Sequence, residues 1–222
     1  MTLKPALNTD MSAYYARRAS TFDMVYAKPE RQHDLVILRE WVRTTLAGHR
    51  ILELACGTGY WTAEAAQVAQ SVLATDLAPA MIAIATARKL SADKVSFAID
   101  DAFDSRIDLS TQPVSAVFAA FWWSHVRREE QDRFMVRLRQ QVGKDALLVL
   151  IDNVYVEGSS TSIARTDLQG NTFQIRLQDG ERFEILKNFP TDSALRKRLS
   201  AHLKDIRIQR VEHYWMLTGR LK

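Results

Sequence analysis

Apolar residues recur along this chain in two rhythms. Over 34–46 they fall at Leu35, Leu38, Val42 and Leu46, a helical spacing, and Gly48 lies where such a helix stops. Shorter runs at 50–55, 71–75, 94–99, 114–121 and 146–151 are dense in Val, Ile, Leu and Ala, as strands buried on both faces are. Helical stretches separate them. The segment 60–70 is rich in Ala and Glu and lacks Gly and Pro, 79–90 has Pro79 in its first turn with Arg88 and Lys89 in its last, and 129–141 places Phe134, Met135, Leu138 and Val142 on one side ahead of Gly143. This alternation predicts an α/β fold, a parallel sheet with helices on both faces.

Beyond Asp152 the pattern changes. From 153 to 170 there is no strong period, and Gly158-Ser159-Ser160 and Gly170-Asn171 mark turns. Asp179-Gly180 lies between two β-prone arms over 172–186, a hairpin signal. A helix capped by Thr191 is expected over 191–203, and 206–211 with 214–221 form an antiparallel pair at the end of the chain.

The 222 residues fit one domain, 1–222, and 47% hydrophobic with 25% charged residues is an ordinary globular balance, against disordered or fibrous classes. A lone cysteine, Cys56, excludes an internal disulfide, and no Cys and His cluster has zinc-site spacing, so a reducing, cytoplasmic setting is expected. Asp10, Arg17, Arg18 and Asp23 leave the first thirty residues without the apolar core of a signal peptide. The longest apolar run, 116–123, is far short of the roughly 20 residues that span a bilayer, so no membrane partner is expected. A net charge of +4 is spread thinly, and Arg17-Arg18 and Arg127-Arg128 are pairs rather than a basic stripe, so no nucleic-acid partner is expected either.

The most informative stretch is Ile51-Leu52-Glu53-Leu54-Ala55-Cys56-Gly57-Thr58-Gly59. A buried strand runs into two glycines that let the backbone turn sharply beside a ligand, and a helix follows. Asp76 ends the next strand, where a carboxylate accepts both hydroxyls of a ribose. Together these describe a nucleoside site at the carboxyl edge of an open sheet. A dinucleotide enzyme would place a third Gly or Ala at position 62, and the chain has Thr62, which argues against NAD. Cys56 is read as a small buried residue with no nucleophilic role.

On these residues the chain resembles the class I S-adenosylmethionine-dependent methyltransferases of the small-molecule type. The stretch 52–59 is similar to the family's first motif, an acid followed by a Gly-x-Gly turn, and Asp76-Leu77-Ala78-Pro79-Ala80-Met81-Ile82 to its second; Ala78 departs from the helix-capping Ser of many relatives. Asp100-Asp101-Ala102-Phe103 resembles the third and 118–126 the fourth, with His125-Val126 as its tail. The resemblance implies a Rossmann-like, doubly wound seven-stranded sheet, mostly parallel with an antiparallel C-terminal strand and a β-hairpin insertion after strand five. It implies S-adenosyl-L-methionine as cofactor, with Asp76 on the ribose, Met81 on the adenine and Asp101 on its amino group. Glu53, Ala55, Gly57, Gly59, Leu77, Ala102 and Phe121 complete the implied cofactor site, Glu53 because a charge in an apolar strand is costly without a purpose. It also divides the chain into an N-terminal lid (1–30), a cofactor-binding core (31–152), a substrate-side insertion (153–190) and a C-terminal helix and strand pair (191–222).

In the lid, Tyr15 is expected to close over the cofactor and Arg18 to pair its methionine carboxylate, with Tyr14 facing the substrate. Too few apolar residues are present there for a core helix, so the lid is expected to be dispensable for the fold. Of Trp122 and Trp123, at most one is expected to face the substrate, joined by Asn153. His125 is either a general base or a polar residue packed near the cofactor. The metal-dependent catechol branch also has an Asp-Asn pair where this chain has Asp152-Asn153, but that pair is too few oxygen ligands for a hard cation, so no metal is expected. The acceptor expected is a small molecule methylated on oxygen or nitrogen, on a monomer or homodimer. RNA or protein methylation and a non-catalytic cofactor-fold protein are the alternatives. The Asn- or Asp-Pro-Pro-aromatic signature of base methylation is absent from Ala119-Ala120-Phe121-Trp122.

Overall fold

The computed structural model describes residues 7–222. In chain order a short strand β1 (Leu7–Asn8) leads into α1 (Met11–Arg18), two 3-10 turns (Ala19–Tyr26 and Pro29–Arg31) and α2 (Gln32–Leu46). There follow β2 (Arg50–Leu54), α3 (Tyr60–Ala66), β3 (Ser71–Asp76), α4 (Pro79–Ala87), β4 (Val95–Ile99), β5 (Ala116–Ala120), α5 (Gln131–Val142) and β6 (Leu147–Asn153). The last third holds β7 (Ile163–Thr166), β8 (Thr172–Gln178), β9 (Glu181–Leu186), α6 (Asp192–Leu199), β10 (Leu203–Arg210) and β11 (Tyr214–Leu221).

Seven strands form the main sheet in the order β10-β11-β6-β5-β2-β3-β4. β2 through β6 pair in parallel, and β11 lies antiparallel between β6 and β10. Alternation along the strands sorts the core into two layers. Ile51, Phe118, Val149 and Ile151 pack with Leu35, Leu38 and Val42 of α2 and Trp61 of α3, whereas Leu52, Leu54, Val117 and Leu150 pack with Phe134 and Leu138 of α5 and Leu195 of α6. The chain builds outward from β2 to β4 and then crosses back to β5, so the direction of winding reverses between β2 and β5, the position at which open α/β sheets bind ligands.

A second sheet of order β1-β9-β8-β7 stands apart from the first. Its central pair, β8 and β9, is antiparallel and turns at Asp179-Gly180, both at positive φ. The sequence pattern leaves β7 unannounced, because all four of its residues are exposed and a strand with no buried face carries no period. The N-terminal segment also departs from expectation. Tyr14 of α1 is 2% exposed and packs on Phe183 and Ile185, and β1 pairs with β9, so one buried aromatic ring does what an apolar stripe was expected to be needed for.

Candidate active site

A cavity of about 440 Å³ opens at the carboxyl ends of β2 and β5. The residues just past the two strands, Ala55 (φ 50°) and Phe121 (φ 60°), are both held in the left-handed region that non-glycine residues rarely adopt. The turn after β2 is tied down by backbone bonds from Cys56 N–H to the Thr75 carbonyl (2.8 Å) and from Gly59 N–H to the Cys56 carbonyl (3.0 Å). Gly57 (φ 56°) has no atom within 4 Å of where a Cβ would stand, so a ligand can approach its backbone. Gly59 serves packing instead. A Cβ there would meet the Ala85 Cβ at 3.0 Å, which sets how closely α3 sits on α4.

Asp76 lines the cavity at the end of β3, accepting from Gly57 N–H and Ala78 N–H, each at 2.8 Å. These bonds fix the carboxylate and leave further lone pairs on both oxygens. Burial raises its pKa against the lowering effect of those N–H groups. Leu77, Met81, Asp101 and Ala102 continue the same wall. Asp100 lines it too, and its buried Oδ2 has no hydrogen-bond partner among the described residues, whereas Asp101 Oδ1 is taken by Phe103 N–H. Glu53 does not reach the cavity. It shares the face of β2 that carries Ile51, is 1% exposed, and neither carboxyl oxygen has a hydrogen-bond partner among the described residues. Burial pushes its pKa up to about 8; Asp76 adds to the rise and the neighbouring Thr62 hydroxyl offsets part of it. Burial likewise drives the Cys56 thiol upward, away from the reactive thiolate.

The cavity is also lined by Tyr15, Arg18, Phe22 and Tyr26 from the N-terminal segment, and by Trp122, His125 and Asn153. The ring of Tyr15 meets that of His125 edge to face with centroids 5.5 Å apart. His125 Nδ1 lies 2.5 Å from the Leu186 carbonyl, which only accepts, so Nδ1 carries the proton and Nε2 accepts from the Tyr15 hydroxyl at 2.9 Å. Burial, with Lys187 and Arg176 adding, holds the His125 pKa well below its ordinary value, so the ring is neutral at neutral pH. Tyr15 is pushed up to about 12, mainly by burial. Trp122 faces the cavity while Trp123, 2% exposed, packs on Phe134. Tyr14 does not line the cavity; its hydroxyl accepts from Arg18 at 2.7 Å.

Asp152 is fully buried near the end of β6. Its Oδ1 accepts from Lys187 Nζ (3.0 Å), Ser124 Oγ (3.0 Å) and Asn153 N–H (2.7 Å), and its Oδ2 from Ser124 N–H (2.8 Å). Among the described residues no three His, Cys, Asp or Glu side chains are placed to hold a metal ion.

Residues 51–145 match the family model described as a methyltransferase domain. The chain is 29% identical over 175 residues to an uncharacterized methyltransferase of Bacillus licheniformis, covering 78% of this chain and 76% of that one. The solved structure of DhpI with SAH superposes with a TM-score of 0.76 at 30% identity, covering 95% of this chain and 94% of that one. A complex of DhpI with SAM and HEP gives 0.77 at 27% identity, covering 98% and 100%. The chain belongs to the class I S-adenosylmethionine-dependent methyltransferases. Its methyl donor is therefore S-adenosyl-L-methionine.

The residues present fit that cofactor. A turn at Gly57 open to backbone approach, a fixed Asp76 with lone pairs to spare and a buried Asp100 oxygen without a partner suit a nucleoside with two hydroxyls and an amino group. Of the methyltransferase residues expected from the sequence, Tyr15, Arg18, Ala55, Gly57, Asp76, Leu77, Met81, Asp101, Ala102, Phe121, Trp122, His125 and Asn153 line the one cavity. Glu53, Gly59, Tyr14 and Trp123 do not, each for the packing reason given above. Sequence reasoning missed Arg31, Arg176, Lys187 and the buried oxygen of Asp100. Asp100 stood in the recognised third motif and needed only equal weight with its neighbour; the three cations carry no local signal.

Proposed function

We propose that this methyltransferase acts on a small molecule, methylating oxygen or nitrogen by direct transfer without a metal. The observation that carries the reading is the single cavity running from the Gly57 turn and Asp76 to Tyr15, Trp122 and Asn153. Closure by side chains of the N-terminal segment suits an acceptor that is engulfed, and favours this over a base in RNA or a side chain of a folded protein. S-adenosyl-L-methionine, when bound, supplies an electrophilic methyl group on a sulfonium. The chain's share is then to align the acceptor and exclude water, which enclosed apolar walls and fixed polar groups do. Asp76 would hold the ribose hydroxyls, Met81 the adenine face, Asp100 or Asp101 the amino group, and Arg18 the methionine carboxylate.

His125 is better suited to orienting than to proton removal. Both its nitrogens are engaged, and an imidazolium there would stand near Lys187 and Arg176, which oppose its charge. Its neutral ring fixes the Tyr15 hydroxyl at the acceptor end of the cavity. Against a metal stands Asp152, whose carboxylate is fully buried and engaged by Lys187, Ser124 and Asn153. Incubating the protein and a trideuteromethyl donor with a metabolite extract, with and without EDTA, tests the whole reading by mass spectrometry. One labelled small molecule with equal yield in both arms is expected. Label confined to macromolecules, or lost with EDTA and restored by magnesium, contradicts it.

A further inference from the structure

The acceptor end of the cavity is unusually cationic for a buried space. Arg31, Arg176 and Lys187 all line it, brought there from the turn before α2, from β8 and from the end of β9. Lys187 is 5% exposed and has a counter-charge, Asp152. The guanidinium groups of Arg31 and Arg176 have none: among the described residues, neither has a carboxylate within ion-pair distance. Each is only half satisfied by neutral groups. Arg176 donates one Nη to Gln174 Oε1 (2.7 Å) and Arg31 donates one to Ser159 Oγ (3.1 Å) and the Ser159 carbonyl (3.5 Å), while among the described residues the buried Nε of each has no partner. Asp152 is paired with Lys187, and neither guanidinium lies within ion-pair distance of it.

The three cations act on one another. Arg31 and Arg176 both lower the Lys187 pKa, and Arg176 and Lys187 both lower that of His125, so mutual repulsion is built into this end of the site. Converging, partly desolvated cations are costly unless an anion compensates them. The methionine portion of the cofactor brings a single carboxylate, and Arg18, a further cavity-lining cation without a carboxylate partner among the described residues, remains for it. We propose that the methyl acceptor carries an oxyanion, a carboxylate or a phosphate-type group, gripped by the paired guanidinium groups of Arg31 and Arg176, with Lys187 held beside them by Asp152. Guanidinium forks match the planar edge of either oxyanion, and three donors drawn from separate segments would fix the acceptor's orientation relative to the methyl group.

This deepens the small-molecule reading and rests on it. Its test uses the full chain saturated with S-adenosylhomocysteine, so that the cofactor's own carboxylate site is filled. The complex is titrated calorimetrically with inorganic phosphate, acetate and neutral acetamide at constant ionic strength in chloride. Saturable one-site binding of phosphate or acetate, and none of acetamide, is expected, and the better of the two anions identifies the oxyanion type. Arg176→Gln and Arg31→Gln should each weaken that anion about tenfold or more, the loss of one charge-assisted bond, while leaving S-adenosylhomocysteine affinity within about twofold. The retained cofactor affinity also reports an intact fold, and either variant suffices should the other fail to fold. The proposal is overturned if neither anion binds the complex, if both variants bind it as well as the parent does, or if both lose S-adenosylhomocysteine affinity in step, which would assign the arginines to the cofactor. Failure of S-adenosylhomocysteine itself to bind the parent protein would strike the methyltransferase reading instead.

Discussion

Tyr15 and His125 form the most constrained polar pair in the site, since each fixes the other's proton. Tyr15→Phe leaves His125 Nε2 buried without its donor, which should cost about 1–3 kcal/mol of stability, and frees the acceptor end of one anchored hydroxyl. Turnover should fall about tenfold or more while S-adenosylhomocysteine affinity stays near that of the parent, measured by steady-state kinetics beside calorimetry. Glu53 makes a prediction about pH. Its folded pKa of about 8 exceeds its ordinary 4.5, so the protonated form is favoured in the native state, and the stability it contributes is present below pH 4.5 and lost as pH rises through 8. His125, with a depressed folded pKa, gives the opposite slope, losing stability as pH falls below about 6.5. The difference in melting temperature between wild type and Glu53→Gln removes the His125 term, and should show the wild type losing ground between pH 5 and 8; a difference independent of pH would contradict the assignment. Its charge drew Glu53 into the expected cofactor site, and its place outside the cavity was not legible in the sequence, whereas the rule that at most one of Trp122 and Trp123 faces inward was. The same rule applied to the neighbours Tyr14 and Tyr15, about 100° apart on one helix turn, separates the buried anchor from the cavity wall.

The N-terminal segment is both wall and structural member. Its sequence resembled a lid that could be cut away, but β1 pairs with β9 and Tyr14 fills the gap over Phe183 and Ile185, with Arg17 paired to Glu181. This single sheet ties part of the expected lid to part of the expected 153–190 insertion. Tyr14→Ala should therefore destabilise the protein by about 3 kcal/mol or more in urea unfolding, and removal of residues 1–22 should lower stability as well as turnover. A truncated protein as stable as the parent would show that the contacts of α1 are incidental. Contiguous motifs made the core elements legible, because a strand, a glycine turn and an acid declare themselves within about 25 residues. The second sheet was half legible: its hairpin has a turn signature, whereas β1 is two residues long and β7 is exposed throughout, so neither carries a period.

At the scale of the whole molecule, the reversal of winding between β2 and β5 creates the crevice, and the residues proposed for the donor's adenosine lie within 55–102 of the chain. The acceptor side is assembled from residues as far apart as Tyr15 and Lys187, and no local spacing foretells that Arg31, Arg176 and Lys187 converge. The donor site was therefore readable before the structure and the acceptor site was not. On the proposed reading Asp76, fixed between Gly57 and Ala78, holds the ribose of S-adenosylmethionine at this crevice. Titration calorimetry of S-adenosylhomocysteine into wild type and Asp76→Asn tests it most directly. The wild type should bind one equivalent, NAD should give no heat, and the variant should bind about tenfold more weakly with its fold retained, since one charge-assisted acceptor becomes a neutral donor. Equal affinity in the two proteins would contradict the account.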